Sequence, residues 1–379
     1  MTASERVLRA SIVICTKNQA PRLRLVLRGL SVQSVPPLEV IVVDDGSTDG
    51  TAGVVARAAE LFPPGVLRFL RRETSGGSAT ARNEGASTAR GEVLVFLDSD
   101  ALPTRVHVAE HVERQREGEG AVVIGPLWHI TTTEFLKDPT TGELFDLPVP
   151  ATVRAALERD ASALLVTEED VTSHFDSRIV RRAARGTYPH LAHQELEAES
   201  MRERVDGHPM AWTLMTPQNV SIPRSYFERV GGFDATLPFS EGWDLTLSLM
   251  SAGLRVVRAA SAPIYHLYHH HDFGNFGESL RRFRAQQRIA RKHDRPSLVL
   301  VPLAFRIPAG DPMLPEELQL RSLDQLARVV ERYSGEDLGP YAVILAGHPQ
   351  LSELQEALEV GATPCKKVGG DSACASHLS

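Results

Sequence analysis

Short apolar runs alternate with amphipathic segments along roughly the first hundred residues of this 379-residue chain. Runs of this length are typical of strands covered on both faces, and they span Ser11–Thr16, Glu39–Asp45, Val66–Arg71 and Glu92–Asp98. The segments between them carry leucines or small residues at helical spacing, and they span Pro21–Gln33, residues 47–59 and Gly77–Ala89. Strands that alternate with helices over short connections predict an α/β fold with a Rossmann-like, mostly parallel sheet and helices on both faces.

The pattern changes from residue 129 onward. Residues 129–215 combine charged helical stretches with Pro- and Thr-rich loops, which predicts a helical insertion. Further along, the sequence predicts a strand at Gln218–Ile222, an amphipathic helix at Asp244–Ala252 that Gly253 can end, and a basic helix at Phe276–His293. The predicted organisation is one domain over residues 1–295, in parts 1–128, 129–215 and 216–295. A C-terminal extension over 296–379 follows, with a disordered tail after 361.

Composition narrows the class of protein. The chain is 42% hydrophobic and 23% charged, as in ordinary globular proteins, and its formal net charge of -7 argues against broad nucleic-acid binding. No segment approaches the ~20 apolar residues of a membrane helix, and Met1–Arg9 lacks the apolar core of a signal peptide. We therefore expect a cytoplasmic protein without a membrane span. The 3 cysteines are too few for a disulfide framework.

Polar side chains follow three of the predicted strands. Thr16 ends the first strand, Asp45 ends the second, and Asp98 and Asp100 end the fourth. Sheets of this kind bind ligands beyond the carboxyl ends of their strands. The sequence therefore predicts a ligand site at this edge of the sheet.

The segment FLDSD (Phe96–Asp100) suits a divalent cation. Asp98 and Asp100 flank Ser99 directly after an apolar strand. Carboxylate oxygens of this kind bind Mg²⁺ or Mn²⁺ together with substrate phosphates, and such an ion would neutralise a diphosphate. At the neighbouring strand end, the Asp45 carboxylate could accept the imide hydrogen of a uracil or bind ribose hydroxyls.

A glycine-rich segment, SGGSATARNEG (Ser75–Gly85), precedes and forms the third predicted helix. Its glycines permit close backbone approach, and Arg82 and Asn83 would face the cleft. The alternative is a close-packed helix in which Arg82 is a surface residue and Asn83 has no contact with a ligand.

These motifs in this order resemble the nucleotide-binding half of family-2 glycosyltransferases, which have the GT-A fold. The resemblance rests on SIVICTKN, VVDDGSTD, ARNEG and FLDSD, followed by QNVSIPRSYFERVGGFD (Gln218–Asp234) and FSEGWDLTLSLMSAGLRV (Phe239–Val256). It covers roughly residues 10–130 and 216–290. It implies a nucleotide-sugar-binding half over 1–128 and an acceptor and catalytic half over 216–295. The insertion over 129–215 is not covered by the resemblance, and we expect it to carry the acceptor side of the site.

The resemblance implies a metal-dependent, inverting transfer of a sugar from a nucleoside diphosphate, UDP by family habit, to an acceptor that a base deprotonates. The residues it implies for nucleotide-sugar binding are Thr16, Asp45, Arg82, Asp98 and Ser99. Asp100 would be the direct ligand of Mn²⁺ or Mg²⁺, with Asp98 beside it. In relatives a histidine completes this site, and PIYHLYHHHDFG (Pro263–Gly274) offers His266 or His269. The other histidines there would belong to a polar loop.

The catalytic helix departs from the family pattern. Members usually carry Glu-Asp with the aspartate as base, whereas this chain reads Glu241-Gly242-Trp243-Asp244 and has glycine at the base position. Asp244 is the preferred substitute and Glu241 the next, since both lie within one helical turn of position 242. Asp244 could instead form a salt bridge or a helix cap.

Other classes of protein fit less well. A nucleotidyltransferase or a dehydrogenase needs a glycine-rich loop after the first strand, and Thr16-Lys17-Asn18-Gln19 contains no glycine. A membrane-bound polysaccharide synthase would need spanning helices. The remaining alternative is a non-catalytic sugar-nucleotide-binding protein, which Gly242 favours. The acceptor could be a small molecule, a peptide or a glycan, and the sequence makes no prediction of oligomeric state.

Overall fold

A computed structural model describes residues 8–117, 120–184, 206–237, 239–270 and 285–295, together with residues 324, 327, 328 and 331. All of these belong to one compact unit, Met1–Ser334. Within the described residues, no helix is both long and apolar enough to cross a membrane.

The described chain forms a central sheet and two smaller sheets. The strands are β1 (Ala10–Thr16), β2 (Glu39–Asp44), β3 (Leu67–Arg71), β4 (Val93–Asp98), β5 (Ala101–Pro103), β6 (Val122–Ile124), β7 (Leu127–His129), β8 (Leu136–Asp138), β9 (Glu143–Leu144), β10 (Asn219–Pro223), β11 (Val256–Arg258) and β12 (Ile264–His266). The central sheet has the order β11-β6-β10-β4-β1-β2-β3. Its neighbours run parallel, except that β10 runs antiparallel to β4 and β6. The predicted mostly parallel sheet is confirmed.

The helices lie between and after these strands. They are α1 (Ala20–Ser31), α2 (Thr51–Ala58), α3 (Ser78–Ser87), α4 (His107–Glu117), α5 (Ala151–Asp160), α6 (Glu168–Thr172), α7 (Phe175–Arg178), α8 (Arg224–Val230) and α9 (Glu241–Ser251). α9 begins one turn before the predicted start at Asp244, and it ends at Ser251, one residue before the predicted Ala252. Gly253 follows the end of the helix with a φ of 97°, which favours glycine.

Helices cover both faces of the central sheet. Ile12 and Ile14 belong to the core that also contains the leucines of α1. On the opposite face α3 lies so close to the sheet that a Cβ at Gly85 would come within 2.6 Å of Val13. Successive strand residues point to opposite faces, and this explains why the apolar runs of the sequence are continuous rather than alternating.

The predicted insertion is only partly helical. Its described residues contain α5, α6 and α7, but also the two-stranded sheet β8–β9. Residues 285–292 are helical, which agrees with the end of the predicted basic helix. The beginning of that helix and everything predicted for residues 185–205 lie outside the described residues.

Candidate active site

The pairing of β5 with β12 brings a distant histidine to the end of β4. β5 follows Asp100 directly and runs antiparallel to β12, with Ala101 opposite His266. The amide of Leu267 donates to the carbonyl of Asp100 at 2.8 Å. This register places the His266 side chain beside the Asp100 side chain.

Asp100, His266 and His269 form a compact group of possible metal ligands. Nε2 of His266 and Nε2 of His269 each lie 3.2 Å from Oδ2 of Asp100. The three candidate ligand atoms all lie within 4.8 Å of one another. Burial would raise the pKa of Asp100, but His266 and His269 hold that pKa well below its ordinary value. Asp100 is therefore an anion at neutral pH.

The chemistry of this group fits a divalent cation. Oδ1 of Asp100 is buried and has no hydrogen-bond partner among the described residues, so one ligand oxygen is left without a donor. One carboxylate and two imidazoles suit Mn²⁺ better than Mg²⁺, because imidazole is a poor ligand for the harder ion. Asp98 is not part of the group.

Asp98 instead belongs to a partly buried ion-pair chain with Arg82 and Glu241. Nη2 of Arg82 donates to Oδ1 of Asp98, and Nη1 of Arg82 donates to Oε1 of Glu241, both at 2.9 Å. Burial would lower the pKa of Arg82, but the anionic groups around it raise that pKa above its ordinary value. Arg82 thus joins the end of β4 to the start of α9.

Both carboxylate oxygens of Asp45 accept hydrogen bonds from the neighbouring loop Ser75–Gly77. Its Oδ2 accepts from the Ser75 hydroxyl at 2.6 Å and from the Gly77 amide at 2.9 Å. Its Oδ1 accepts from the Gly76 amide at 2.8 Å and lies 3.0 Å from Nε of Arg72. Burial would raise the pKa of Asp45, but these hydrogen bonds and the arginine lower it. Asp45 therefore holds the loop that leads into α3.

Thr16 and Ser99 lie at the same edge of the sheet. Both are buried, and Oγ1 of Thr16 has no hydrogen-bond partner within the described part of the chain. The carbonyl of Thr16 accepts from the Asp45 amide at 2.9 Å, which ties the ends of β1 and β2 together. The Thr16 hydroxyl is therefore a buried polar group at the predicted edge whose hydrogen-bonding capacity the described residues leave unused.

The glycine at the usual base position is explained by packing. A Cβ on Gly242 would come within 2.6 Å of Sδ of Met215 and within 3.0 Å of Pro217. Contacts this short force a neighbour to move. Any side chain at position 242 would therefore compete with the Met215–Pro217 segment for space.

Asp244 is held by the helix at residues 285–292 and by the residue that follows it. Nζ of Lys292 donates to its Oδ2 at 2.6 Å, and Nε2 of His293 lies 3.0 Å from its Oδ1. The Asp244 side chain is 1% exposed, whereas that of Glu241 is 14% exposed. The two candidate bases thus differ in environment: Asp244 anchors a second helix, and Glu241 belongs to the chain with Arg82 and Asp98.

Three residues that shape this region were not predicted from the sequence. Nδ1 of His129 lies 3.2 Å from Nδ1 of His266, so His266 directs its other nitrogen at Asp100. Lys292 and His293 hold Asp244. None of the three belongs to a motif. His129 could be found only from the pairing of β7 with β12, in which it lies opposite His266.

Comparison with known proteins places residues 11–184 within the family described as Glycosyl transferase family 2. One curated relative, the uncharacterized glycosyltransferase YfnE of Bacillus subtilis, is 26% identical over 250 residues, which are 65% of this chain and 62% of that protein. The chain therefore spans less than two thirds of that relative's length.

Two solved structures share the fold. The mannosyltransferase PcManGT of Pyrobaculum calidifontis, solved with GDP-Man and Mn²⁺, is 19% identical with a TM-score of 0.50, over 93% of this chain and 84% of that one. S. aureus TarS 1-349, solved with UDP-GlcNAc, is 15% identical with a TM-score of 0.50, over 89% and 76% of the two chains. At these identities the likeness concerns the GT-A fold alone.

Proposed function

We propose that this chain, whose residues 11–184 match the model of glycosyl transferase family 2, is a metal-dependent, inverting transferase of that family. The donor is a nucleoside diphosphate sugar, with UDP as the first nucleotide to test. The acceptor is a hydroxyl or another nucleophile on a small molecule, a peptide or a glycan. One observation carries the proposal: Asp100, His266 and His269 converge beyond the end of β4, and one carboxylate oxygen of Asp100 has no hydrogen-bond partner in the described part of the chain.

Asp100, His266 and His269 would hold the cation, which is Mn²⁺ in preference to Mg²⁺. When bound, such an ion neutralises the charge of a diphosphate leaving group. Asp98 and Ser99 would border the diphosphate, and Thr16 would offer its hydroxyl to the nucleotide. This division of roles is supported by the position of these residues at one edge of the sheet and by the Thr16 hydroxyl, which has no hydrogen-bond partner within the described ranges.

Asp45 and Arg82 would act on the nucleotide chiefly through the parts that they hold. Asp45 fixes the Ser75–Gly77 backbone, whose glycines permit close approach of a base or a ribose. Arg82 fixes the carboxylates of Asp98 and Glu241. Both residues thus support the donor side of the site in addition to any direct contact with the donor.

Glu241 is the better candidate for the base, and Asp244 is the alternative. In the proposed transfer the acceptor oxygen gives its proton to the carboxylate and forms a bond to the anomeric carbon. The bond from that carbon to the diphosphate oxygen breaks on the opposite face, and the nucleoside diphosphate leaves. Glu241 is supported by its partial exposure beside Arg82, whereas both oxygens of Asp244 already have partners.

The test is a donor screen in the presence and absence of Mn²⁺. Thermal shift with UDP-, GDP- and TDP-sugars should raise the melting temperature only for the correct donor. Turnover of that donor, measured as release of nucleoside diphosphate with a panel of acceptors, should require Mn²⁺. Donor binding without turnover across the panel would favour the alternative, a non-catalytic sugar-nucleotide-binding protein, which the packing of Gly242 makes a specific competitor. If the protein bound neither Mn²⁺ nor any donor, the result would contradict both the transferase and the binding-protein proposals.

A further inference from the structure

The histidine arm, defined as His266–His270, is fixed along its backbone by residues far away in the sequence. The carbonyl of His266 accepts from the Ile130 amide, and the amide of His270 donates to the Glu134 carbonyl, both at 2.8 Å. Between these ends, the carbonyls of Leu267 and Tyr268 accept from two side chains, those of Arg22 and Thr133. His266 and His269 therefore each have a chain neighbour, Leu267 or Tyr268, whose carbonyl accepts a hydrogen bond from a distant side chain.

Arg22 holds the arm to the insertion from the first turn of α1. Its Nε donates to the Leu267 carbonyl at 3.1 Å, while its Nη atoms donate to the carbonyls of Lys137 at 3.1 Å, Leu136 at 2.7 Å and Thr133 at 3.4 Å. The side chain is almost wholly buried, and burial lowers the pKa of Arg22 to about 10. One guanidinium thus ties the histidine arm to residues 133–137.

The charge of Arg22 has an unusual environment. No carboxylate lies within ion-pair distance of its guanidinium among the described residues, and its direct partners are four main-chain carbonyls. A buried cation without an ion-pair partner is costly. The four carbonyls, the Phe145 ring 5.7 Å from the guanidinium and the more distant charges of Asp100 and Asp138 offset part of that cost. Only a planar fork of donors can reach all four carbonyls, and a lysine cannot.

Thr133 makes the second side-chain contact with the arm. Its hydroxyl donates to the Tyr268 carbonyl at 2.8 Å and shares the same proton with the Ile130 carbonyl at 2.9 Å. The residue is fully buried in the short helical turn Thr131–Thr133. The bond to Ile130 is local, whereas the bond to Tyr268 joins two distant segments.

We propose that Arg22 and Thr133 are positioning residues of the metal centre, which hold the histidine arm so that His266 and His269 meet Asp100 before any ion binds. The inference rests on the proposed function, since it assigns the same three ligands. Groups that orient metal ligands without touching the metal commonly change affinity by about 10–100-fold when they are removed. The first part of the insertion, residues 130–137, thereby gains a role as the support of the histidine arm.

The test compares matched threonine variants by direct metal binding. Thr133→Val removes both bonds of the hydroxyl, and Thr133→Ser keeps them. Thr213→Val is the control, because Thr213 is equally buried and donates to the carbonyl three residues before it, at 2.8 Å, without contacting the arm. Mn²⁺ dissociation constants come from electron paramagnetic resonance titration, and the absorption spectrum of bound Co²⁺ reports the geometry of the ligands. Circular dichroism confirms that each variant is folded.

We expect Thr133→Val and Arg22→Lys to weaken Mn²⁺ binding about 10-fold or more and to change the Co²⁺ spectrum at saturation. Thr133→Ser and Thr213→Val should match the wild type. If Arg22→Lys does not fold, the threonine pair decides the question. If His269→Ala loses the metal but folded Thr133→Val keeps the wild-type Mn²⁺ affinity and Co²⁺ spectrum, the inference is wrong and the proposed metal centre still stands. Failure of the wild type to bind Mn²⁺ would overturn the proposed metal centre and the inference together.

Discussion

Asp45 and Asp100 are buried carboxylates beyond the ends of the two strands that flank β1, and they differ in what surrounds them. Asp45 receives hydrogen bonds from a serine and two amides and lies beside Arg72, so both of its oxygens have donors. Asp100 faces two imidazoles with one oxygen, and the other has no partner among the described residues.

The contrast distinguishes a carboxylate that completes the fold from one that needs a ligand. A buried acceptor without a donor costs free energy, and a bound cation can recover that cost. Asp45 has no such deficit, since its loop supplies the donors. We therefore propose that Asp100 serves the ligand and that Asp45 mainly serves the loop, although both are aspartates at the same edge of the sheet.

The sharpest test of this contrast is removal of the Asp100 carboxylate. We expect Asp100→Ala to lower turnover of the correct donor by about 10³-fold, because the main anionic ligand and its charge are lost. Mn²⁺ binding, measured by electron paramagnetic resonance, should fall by at least about 10²-fold. Unchanged Mn²⁺ affinity in this variant would show that Asp100 is not a ligand.

Removal of the Asp45 carboxylate should lower stability and leave Mn²⁺ binding nearly unchanged. Asp45→Ala leaves the Ser75–Gly77 loop and Arg72 without their acceptor, so we expect the free energy of unfolding to fall by about 3 kcal/mol in urea titrations. Mn²⁺ affinity should change less than about 3-fold. A variant of wild-type stability that has lost only nucleotide binding would make Asp45 a donor ligand and remove the contrast.

The carboxylates of α9 extend the comparison to the catalytic helix. Glu241→Gln keeps an oxygen for Arg82 but cannot accept a proton, so we expect turnover to fall about 10²-fold with little change in stability. Asp244→Asn should act mainly on unfolding, because it weakens the contacts with Lys292 and His293. The reverse result, with stability unchanged and turnover lost in Asp244→Asn, would make Asp244 the base.

Two buried histidines, His266 and His111, also differ in their surroundings, and we expect the surroundings of His111 to make the stability of the protein depend on pH. Whereas His266 lies beside a carboxylate, the ring nitrogens of His111 have the neutral side chains of Ser221 and Asn219 as hydrogen-bond partners, and burial lowers the pKa of His111 to about 4. A lowered histidine pKa means that stability is complete above pH ~6.5 and is lost as the pH falls toward 4. We expect about 2 kcal/mol of stability from His111 to be lost between pH 7 and pH 5.

Urea titrations at several pH values measure this loss. His111→Gln keeps a polar side chain that does not titrate, so its stability should fall less steeply with acid than that of the wild type. His107, whose pKa burial lowers well below its ordinary value, contributes in the same direction in both proteins. Identical slopes in the two proteins would mean that His111 is accessible to protons in the folded state.

The parallel half of the fold follows from local sequence. The apolar runs that predict β1, β2, β3 and β4 are continuous because helices cover both faces, and the polar residues at their ends share an edge because the strands are parallel. Antiparallel β10 was predicted as a strand, but its direction was not, since a strand's own residues carry no information about the direction of its neighbours. The mixed composition of the insertion hid the β8–β9 sheet.

What the sequence by itself determined was the sheet, the edge at which we predict a ligand site, and the set of residues from which a site could form. Tertiary structure alone decided which of them meet. Asp100 and His266 are 166 positions apart, and Arg22 and Leu267 are 245 positions apart. It also decided why residue 242 is glycine, since the atoms that exclude a side chain belong to Met215 and Pro217. The physical reason is that hydrophobic periodicity acts over a few residues, whereas the satisfaction of a buried charge depends on donors supplied by segments that only the folded chain brings together.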